Sequence, residues 1–106
     1  MTVDEEILEH VVDQIVELAH PDCVILFGSA ARGDMTADSD LDLLVVERQV
    51  ANTRQESLRL RAALENVPFP IDVIVMRRER FEETKDVIGG IAYPAHKYGR
   101  VLYEAA

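Results

Sequence analysis

Cysteine, basic residues and long apolar runs are all scarce in this sequence. Cys23 is the only cysteine among 106 residues, which excludes an internal disulfide and fits a reducing compartment. It opens an apolar run, which favours a buried thiol over a reactive one. No apolar run approaches the roughly 18–20 residues that cross a bilayer, and the acidic start lacks the basic-then-apolar order of a signal peptide. We therefore expect one cytoplasmic domain over residues 1–106, with no membrane association.

Positive charge is also in short supply. The chain has 11 Lys and Arg residues against 20 Asp and Glu residues, a formal net charge of −9. Such a chain repels nucleic-acid phosphates, so strong nucleic-acid binding is not expected, whereas a basic protein partner is compatible. Four of the acids fall close together, at Asp34, Asp38, Asp40 and Asp42. A crowded acidic stretch is usually a solvated loop, but alternating carboxylates at the start of a strand also suit a cation.

Hydrophobic periodicity predicts an alternation of helices and strands. The predicted elements, in chain order, are a helix over 4–19, a strand over 23–27, a helical turn over 29–33, a strand over 41–47, a helix over 50–66, a strand over 71–76, a helix over 79–88 capped at Gly89–Gly90, and a short strand over 100–103. A helix-length crossover favours a parallel pairing of the second and third strands. The predicted fold class is therefore α/β (α+β), with a small mixed β-sheet and flanking helices.

Three aspartates on two strands form a candidate metal site. Asp40 and Asp42 alternate at the entry of the second strand, so they point to the same face, about 7 Å apart. Asp72 interrupts the apolar third strand and, in a parallel pair, lies level with them. A carboxylate there is expensive to bury without a cation, and the alternative is an edge residue that faces water. Hard oxygen ligands favour Mg²⁺ or Mn²⁺, and two such ions suit an in-line displacement.

The turn after the first strand carries the candidate nucleotide-binding residues. Gly28 allows a tight turn and a close backbone approach to phosphate oxygens. Ser29 offers a hydroxyl and an amide to an anion. Arg32 either neutralises phosphate charge or serves as a solvated or structural ion-pair residue, and Ser39 is a further candidate. If Gly28 and Ser29 are to meet Asp40, the first two strands must run antiparallel.

The order and spacing of these residues form a specific pattern. Gly28 and Ser29 are followed after ten residues by Asp40 and Asp42, and later by Asp72. Each pair is weak alone, but the ordered set resembles the signature of the DNA polymerase β-like nucleotidyltransferase superfamily. The resemblance covers nearly the whole chain, and no catalytic acid is replaced. It implies a polymerase β-like fold, with the three aspartates as catalytic residues and metal ligands.

The short length and the stretch over 98–104 look like the minimal nucleotidyltransferase branch, whose members often act as antitoxins beside a HEPN-type partner. The resemblance implies Mg²⁺-dependent transfer of AMP from ATP to a tyrosine of a HEPN-type toxin, in a type VII-like toxin–antitoxin pair and a hetero-oligomer. A binding-only antitoxin is one alternative, although it has no reason to keep three clustered carboxylates. Transfer to a small-molecule hydroxyl, such as that of an aminoglycoside, is another. It generally needs an additional acceptor domain, for which 106 residues leave little room.

Two groups of residues in the second half of the chain are each open to two interpretations. Tyr93, Tyr98 and Tyr103 all fall in the last fourteen residues. Either this tail docks a partner, or Tyr98 and Tyr103 pack it onto the sheet. The basic cluster over 77–80 either contacts ATP, a partner or RNA, or forms a solvated connection between a strand and a helix.

Overall fold

The structure is a computed structural model and describes residues 4–33 and 40–106. Its helices and strands, in chain order, are α1 (Glu5–Ala19), β1 (Cys23–Phe27), α2 (Ser29–Arg32), β2 (Leu41–Glu47), α3 (Thr53–Ala63), β3 (Ile71–Arg77), α4 (Arg78–Thr84), α5 (Ala92–Tyr98) and β4 (Arg100–Glu104). β1 and β2 coincide with the predicted strands, and β3 and β4 each extend one residue beyond the prediction. The predicted strands are therefore all confirmed.

A four-stranded mixed sheet, in the order β3-β2-β1-β4, forms the centre of the described structure. β1 runs antiparallel to β2 and to β4, whereas β2 runs parallel to β3. The parallel pair needs a long crossover, which α3 provides. Both predicted pairings and the mixed α/β class are confirmed. Because of these strand directions, the end of β1 and the beginnings of β2 and β3 lie at the same edge of the sheet.

Each face of the sheet buries its own apolar cluster. The cluster on the face covered by α1 and α3, here called the α1/α3 face, consists of Leu8, Val11, Val12, Ile15, Val24, Leu26, Leu41, Leu43, Val45, Leu60, Leu64, Val73 and Val75. The cluster on the α4/α5 face consists of Ile25, Leu44, Val46, Phe81, Ala92 and Ala95. Successive residues of β2 alternate between the two clusters, as strand geometry requires. Burial of both faces explains why β2 is apolar at nearly every position after Asp42.

Capping residues fix both ends of α1. Asp4 accepts a hydrogen bond from the backbone N–H of Glu6 at 2.8 Å, and acidic residues occupy the first turn. His20 ends the helix in the left-handed conformation, with φ 46°, and Pro21 follows. Within residues 4–33 and 40–106, neither α1 nor any other helix is long and apolar enough to cross a membrane.

α3 is shorter than predicted at both ends. It begins at Thr53 because the side chain of Asn52 caps it by accepting a hydrogen bond from the backbone N–H of Gln55 at 3.0 Å. It ends at Ala63 and gives way to a turn. The predicted range of 50–66 therefore includes the flanking turns.

α4 also ends early, and the predicted glycine cap at Gly89–Gly90 is wrong. The helix stops at Thr84, whose hydroxyl donates a hydrogen bond to the carbonyl of Arg80 at 2.7 Å. Phe81 is its only buried residue, and Ile88, further along, is 79% exposed. The apolar side chains beyond the helix, Val87 and Ile88, stay exposed, so no burial against the sheet supports a longer helix.

The C-terminal tail contains a helix, α5, that the periodicity did not predict. Tyr98 at its end is 61% exposed, so the prediction that it packs onto the sheet is wrong. Tyr103 in β4 does pack, partly buried, against the α1/α3 cluster.

The basic cluster over 77–80 is not simply solvated, because Arg77 donates hydrogen bonds of 2.9 Å to the carbonyls of Val50 and Ala51.

Glu47, at the end of β2, is a buried acid. Glu47 is only 7% exposed, and its side chain lies against Glu56 of α3. Burial is the main cause that raises the pKa of Glu47 to about 7, and the hydrogen bond and negative charge of Glu56 raise it further. The pKa of Glu56 is lowered, mainly because Arg59 donates hydrogen bonds of 2.7 and 3.0 Å to its two oxygens. The proton of this carboxyl pair therefore resides on Glu47.

Replacing Glu47 by Gln is expected to stabilise the protein at pH 8 by about 1–3 kcal/mol. A carboxyl whose pKa is raised by folding stabilises the fold fully below pH 4.5, and this contribution is lost as the pH rises through about 7. Gln keeps a hydrogen-bond donor for Glu56 and carries no charge. Urea unfolding of both proteins between pH 5 and 8 measures the difference. The exposed Glu17→Gln change in α1 is the matched control, and parallel pH curves for wild type and Glu47→Gln would contradict the prediction.

Candidate active site

The turn after β1 is built around Gly28. Its φ of 72° and ψ of −153° lie in a region that is essentially restricted to glycine. A Cβ at this position would also overlap Oδ2 of Asp42. The backbone conformation therefore requires glycine, and a Cβ would in addition force the carboxylate of Asp42 to shift. The close approach that the sequence predicted for a phosphate is made in this structure by the carboxylate of Asp42.

Asp42 and Asp72 lie directly opposite each other on β2 and β3. The parallel register pairs Asp42 with Asp72, and the antiparallel register pairs Asp42 with Phe27 of β1. Asp42 alternates with the apolar residues of the α1/α3 face, so it shares the α4/α5 face with Leu44, as Asp72 does with Ile74. Adjacent strands are about 4.8 Å apart, which brings the two carboxylates within reach of one cation. The predicted level placement of Asp72 with Asp42 is thus confirmed.

The negative charges of its neighbours change the ionisation of Asp42. Its pKa is raised, first by burial and then by the negative charges of Asp72 and Asp40. Asp40 itself is exposed and immediately precedes β2. A partly buried carboxylate repelled by two neighbours is stabilised by a bound cation. The oxygen donors and the negative charge of the three aspartates fit a divalent cation such as Mg²⁺.

The three aspartates are nevertheless not gathered around one point. In the described ranges, 4–33 and 40–106, no group of three His, Cys, Asp or Glu side chains is arranged to hold a metal ion. Oδ1 of Asp72 instead accepts a hydrogen bond from Nη2 of Arg61, which lies on α3, and the two groups form an ion pair. One of the predicted ligands is therefore already paired with a cationic side chain.

Ser29 is the first residue of α2 and directly follows Gly28. It is half-buried and lies at the same edge of the sheet as Asp42. Ser39 lies outside the residues that the structure describes. The nucleotide-binding roles of Ser29 and Ser39 remain predictions.

Arg32 occupies the last position of α2 and is exposed. It lines a groove together with Glu5 and Arg100, beside α1. This groove lies on the α1/α3 side of the sheet, whereas Asp42 lies on the α4/α5 face. A role for Arg32 in nucleotide binding stays a prediction. Because Arg32 and Asp42 lie on opposite sides of the sheet, this role requires a nucleotide that extends around the end of β1.

A cavity of about 530 Å³ lies at the opposite end of the sheet from Asp42. Several of its charged side chains are paired with one another, since Asp22 accepts hydrogen bonds from Arg48 at 3.1 Å and from Arg78 at 2.9 Å. Burial raises the pKa of the Cys23 thiol in this cavity to about 11, so the thiol is protonated at neutral pH and is not a nucleophile. The candidate chemistry is therefore assigned to the edge of the sheet that carries Asp40, Asp42 and Asp72, here called the aspartate edge.

Comparison with known proteins shows the family of this chain. A family model described as a nucleotidyltransferase domain matches residues 5–94. The chain belongs to the nucleotidyltransferase domain family. The fold of this nucleotidyltransferase is similar to that of a candidate nucleotidyltransferase from Sulfolobus solfataricus, solved at 1.40 Å, with 19% identity and a TM-score of 0.64. The similarity covers 93% of this chain and 78% of that chain. No curated protein sequence matches this nucleotidyltransferase significantly.

Family membership gives the chain its general chemistry. Nucleotidyltransferase domains transfer a nucleotidyl group and generally use a nucleoside triphosphate with a divalent metal.

Arg61 is a residue at the aspartate edge that the sequence did not predict. It looks like any other arginine of an amphipathic helix, and its contact with Asp72 depends on how α3 packs against β3. Neither local pattern nor spacing could have found it.

Proposed function

We propose that this nucleotidyltransferase transfers AMP from ATP to a hydroxyl of a partner protein, and that it acts as the antitoxin of a type VII-like toxin–antitoxin pair in the cytoplasm. The acceptor is a tyrosine of a HEPN-type toxin. The direct pairing of Asp42 with Asp72, beside Gly28, is the observation that carries the transfer chemistry. The resemblance to the minimal nucleotidyltransferase branch supports the acceptor and the antitoxin role.

In the proposed reaction, the hydroxyl oxygen of the acceptor attacks the α-phosphorus of ATP. The bond from that phosphorus to the oxygen that bridges the α- and β-phosphates breaks, and pyrophosphate leaves. Asp40, Asp42 and Asp72 would hold the divalent cations, two Mg²⁺ by the family resemblance, which would neutralise charge on the triphosphate. The hydroxyl proton passes to a base, for which Asp72 is the candidate, and the turn at Gly28 and Ser29 would receive the phosphates.

The charge of the chain supports a protein acceptor over a nucleic acid. A net charge of −9 repels a second polyanion, whereas a basic protein surface is attracted. The described helices and strands all flank or form the one sheet, and in the proposal the transfer takes place at its aspartate edge. A partner that presents its own hydroxyl at this edge completes the site, which supports a hetero-oligomer.

One observation favours a second candidate, an antitoxin that only binds its partner. Val87 and Ile88, between α4 and α5, are 57% and 79% exposed, and Ile91 after them is 39% exposed. Three large apolar side chains exposed in so short a segment suit a protein interface. Such an interface would serve steric blocking as well as it would serve docking before transfer.

A labelling experiment separates the two candidates. The protein is incubated with α-labelled ATP, Mg²⁺ and the product of its neighbouring gene, and mass spectrometry locates any added AMP. An adduct on a partner tyrosine, lost in Asp42→Asn, is the expected result. Partner toxicity suppressed equally by wild type and Asp42→Asn, with no adduct, would overturn the proposal in favour of binding alone. A parallel reaction in which an aminoglycoside replaces the partner tests the small-molecule acceptor, and a labelled product there would overturn the protein acceptor.

A further inference from the structure

Arg61 projects from α3 to the aspartate edge. Its Nη2 bonds Oδ1 of Asp72, although eleven residues separate the two in the chain. Both side chains remain partly open to solvent, at 50% for Arg61 and 42% for Asp72. An ion pair with that exposure contributes little to folding, about 0–1 kcal/mol. Stability of the fold is therefore a poor explanation for this contact.

The contact has a direct consequence for cation binding. Asp72 faces Asp42 across the β2–β3 pair, where two carboxylates could bind one cation between them. A guanidinium on Oδ1 competes with a metal ion for the same lone pairs and repels it by charge. Among the described residues the aspartates are not arranged as a metal-binding group, even though the register aligns two of them.

We propose that Arg61 is a positioning residue that stays ion-paired with Asp72 until a divalent cation displaces the guanidinium group of Arg61. The inference rests on the proposed function, because it takes the aspartate edge as the metal site. Without a cation, Arg61 provides the counter-charge for Asp72 and limits its repulsion of Asp42. With a cation bound, Asp72 turns to the metal and Arg61 is released. The affinity for metal in the absence of nucleotide is thereby kept low.

Manganese binding without nucleotide tests this proposal independently of activity. The loss of the free Mn²⁺ signal in electron paramagnetic resonance gives the dissociation constant of each variant. Arg61→Gln is expected to bind Mn²⁺ about 5- to 10-fold more tightly than wild type, because a competing positive charge is removed. Arg61→Lys retains the charge and loses the planar fork, so it should bind within about threefold of wild type. Thermal unfolding checks that each variant is folded.

Arg54→Gln is the matched control, since Arg54 is exposed on the same helix and the change in net charge is identical. It should alter the dissociation constant by less than twofold. In an Asp72→Asn background, Arg61→Gln should have no further effect on Mn²⁺ binding. Equal binding by wild type and Arg61→Gln, weaker binding by Arg61→Gln, or equal tightening by Arg54→Gln would each overturn the inference. Tightening specific to Arg61→Gln, together with no AMP on any partner, would support the inference while overturning the proposed acceptor.

Discussion

Replacing Asp42 by Asn is expected to lower nucleotidyl transfer by at least about 10³-fold. Asn preserves the size of the side chain beside Gly28 and removes the charge that would hold a divalent cation. A loss of about 4 kcal/mol of transition-state stabilisation corresponds to this factor. The rate of pyrophosphate release with ATP and the acceptor measures it, with Mn²⁺ binding followed in parallel.

The same substitution is expected to leave the free energy of unfolding at pH 8 equal to the wild-type value or above it. Burial, together with the negative charges of Asp72 and Asp40, raises the pKa of Asp42. An acid whose pKa is raised on folding stabilises the fold in its protonated form, and this contribution is lost as the pH rises through its folded pKa. Solvent screening keeps the effect small at a partly exposed site. A stable and inactive variant would indicate that the carboxylate serves chemistry and not the fold.

Asp13→Asn, at an exposed position of α1, makes the same change in charge away from the site. Its activity should remain within twofold of wild type. Transfer by Asp42→Asn at a tenth of the wild-type rate or more would remove Asp42 from the catalytic machinery.

The sheet could be predicted because its information is local. Short apolar runs bounded by Gly28, Pro70 or acidic residues define the strands, and the length of each connection selects parallel or antiparallel pairing. The two paired aspartates follow from the same reasoning, since Asp42 and Asp72 each stand second in their strands. A parallel register that aligns the strand beginnings then places them opposite each other.

α5 could not be predicted because its sequence carries signals against a helix. Pro94 interrupts the segment, and small and polar residues leave no apolar stripe. Proline is tolerated there because it falls in the first turn, where its missing N–H would have no partner within the helix. Two alanines, Ala92 and Ala95, are the buried contacts that hold α5 to the sheet. Such small residues give a weak hydrophobic pattern but allow close packing.

The charged contacts that matter most depend on long-range packing. Arg61 reaches Asp72 only because α3 lies across β3, and Glu47 is buried only because Glu56 and Arg59 of α3 cover it. Sequence alone cannot tell these side chains from exposed ones. What sequence does reveal is a break in a local rule, namely the aspartate in second position of β2 and of β3. Residues that break such rules tend to mark function, and the family match places nucleotidyl transfer on this chain.

Replacing Gly28 by Ala is expected to destabilise the protein by about 2–4 kcal/mol and to reduce transfer about 10²-fold. The destabilisation has two sources, a backbone with φ 72° and ψ −153° and the overlap of Cβ with Oδ2 of Asp42. The activity falls because the carboxylate must move away, and a displacement of about 1 Å is enough for a loss of that size. Urea unfolding and pyrophosphate release measure the two effects separately.

Gly33 provides the comparison that distinguishes backbone strain from displacement of the carboxylate. Its φ is also positive, at 77°, but it has the left-handed helical conformation and nothing lies within 4 Å of a Cβ placed there. Gly33→Ala should therefore cost only about 1–2 kcal/mol of stability and should leave transfer within about threefold of wild type. If both variants lost activity equally, Gly28 would act only through its backbone. A loss confined to Gly28→Ala means that the turn after β1 holds the carboxylate of Asp42 in the position that the chemistry requires.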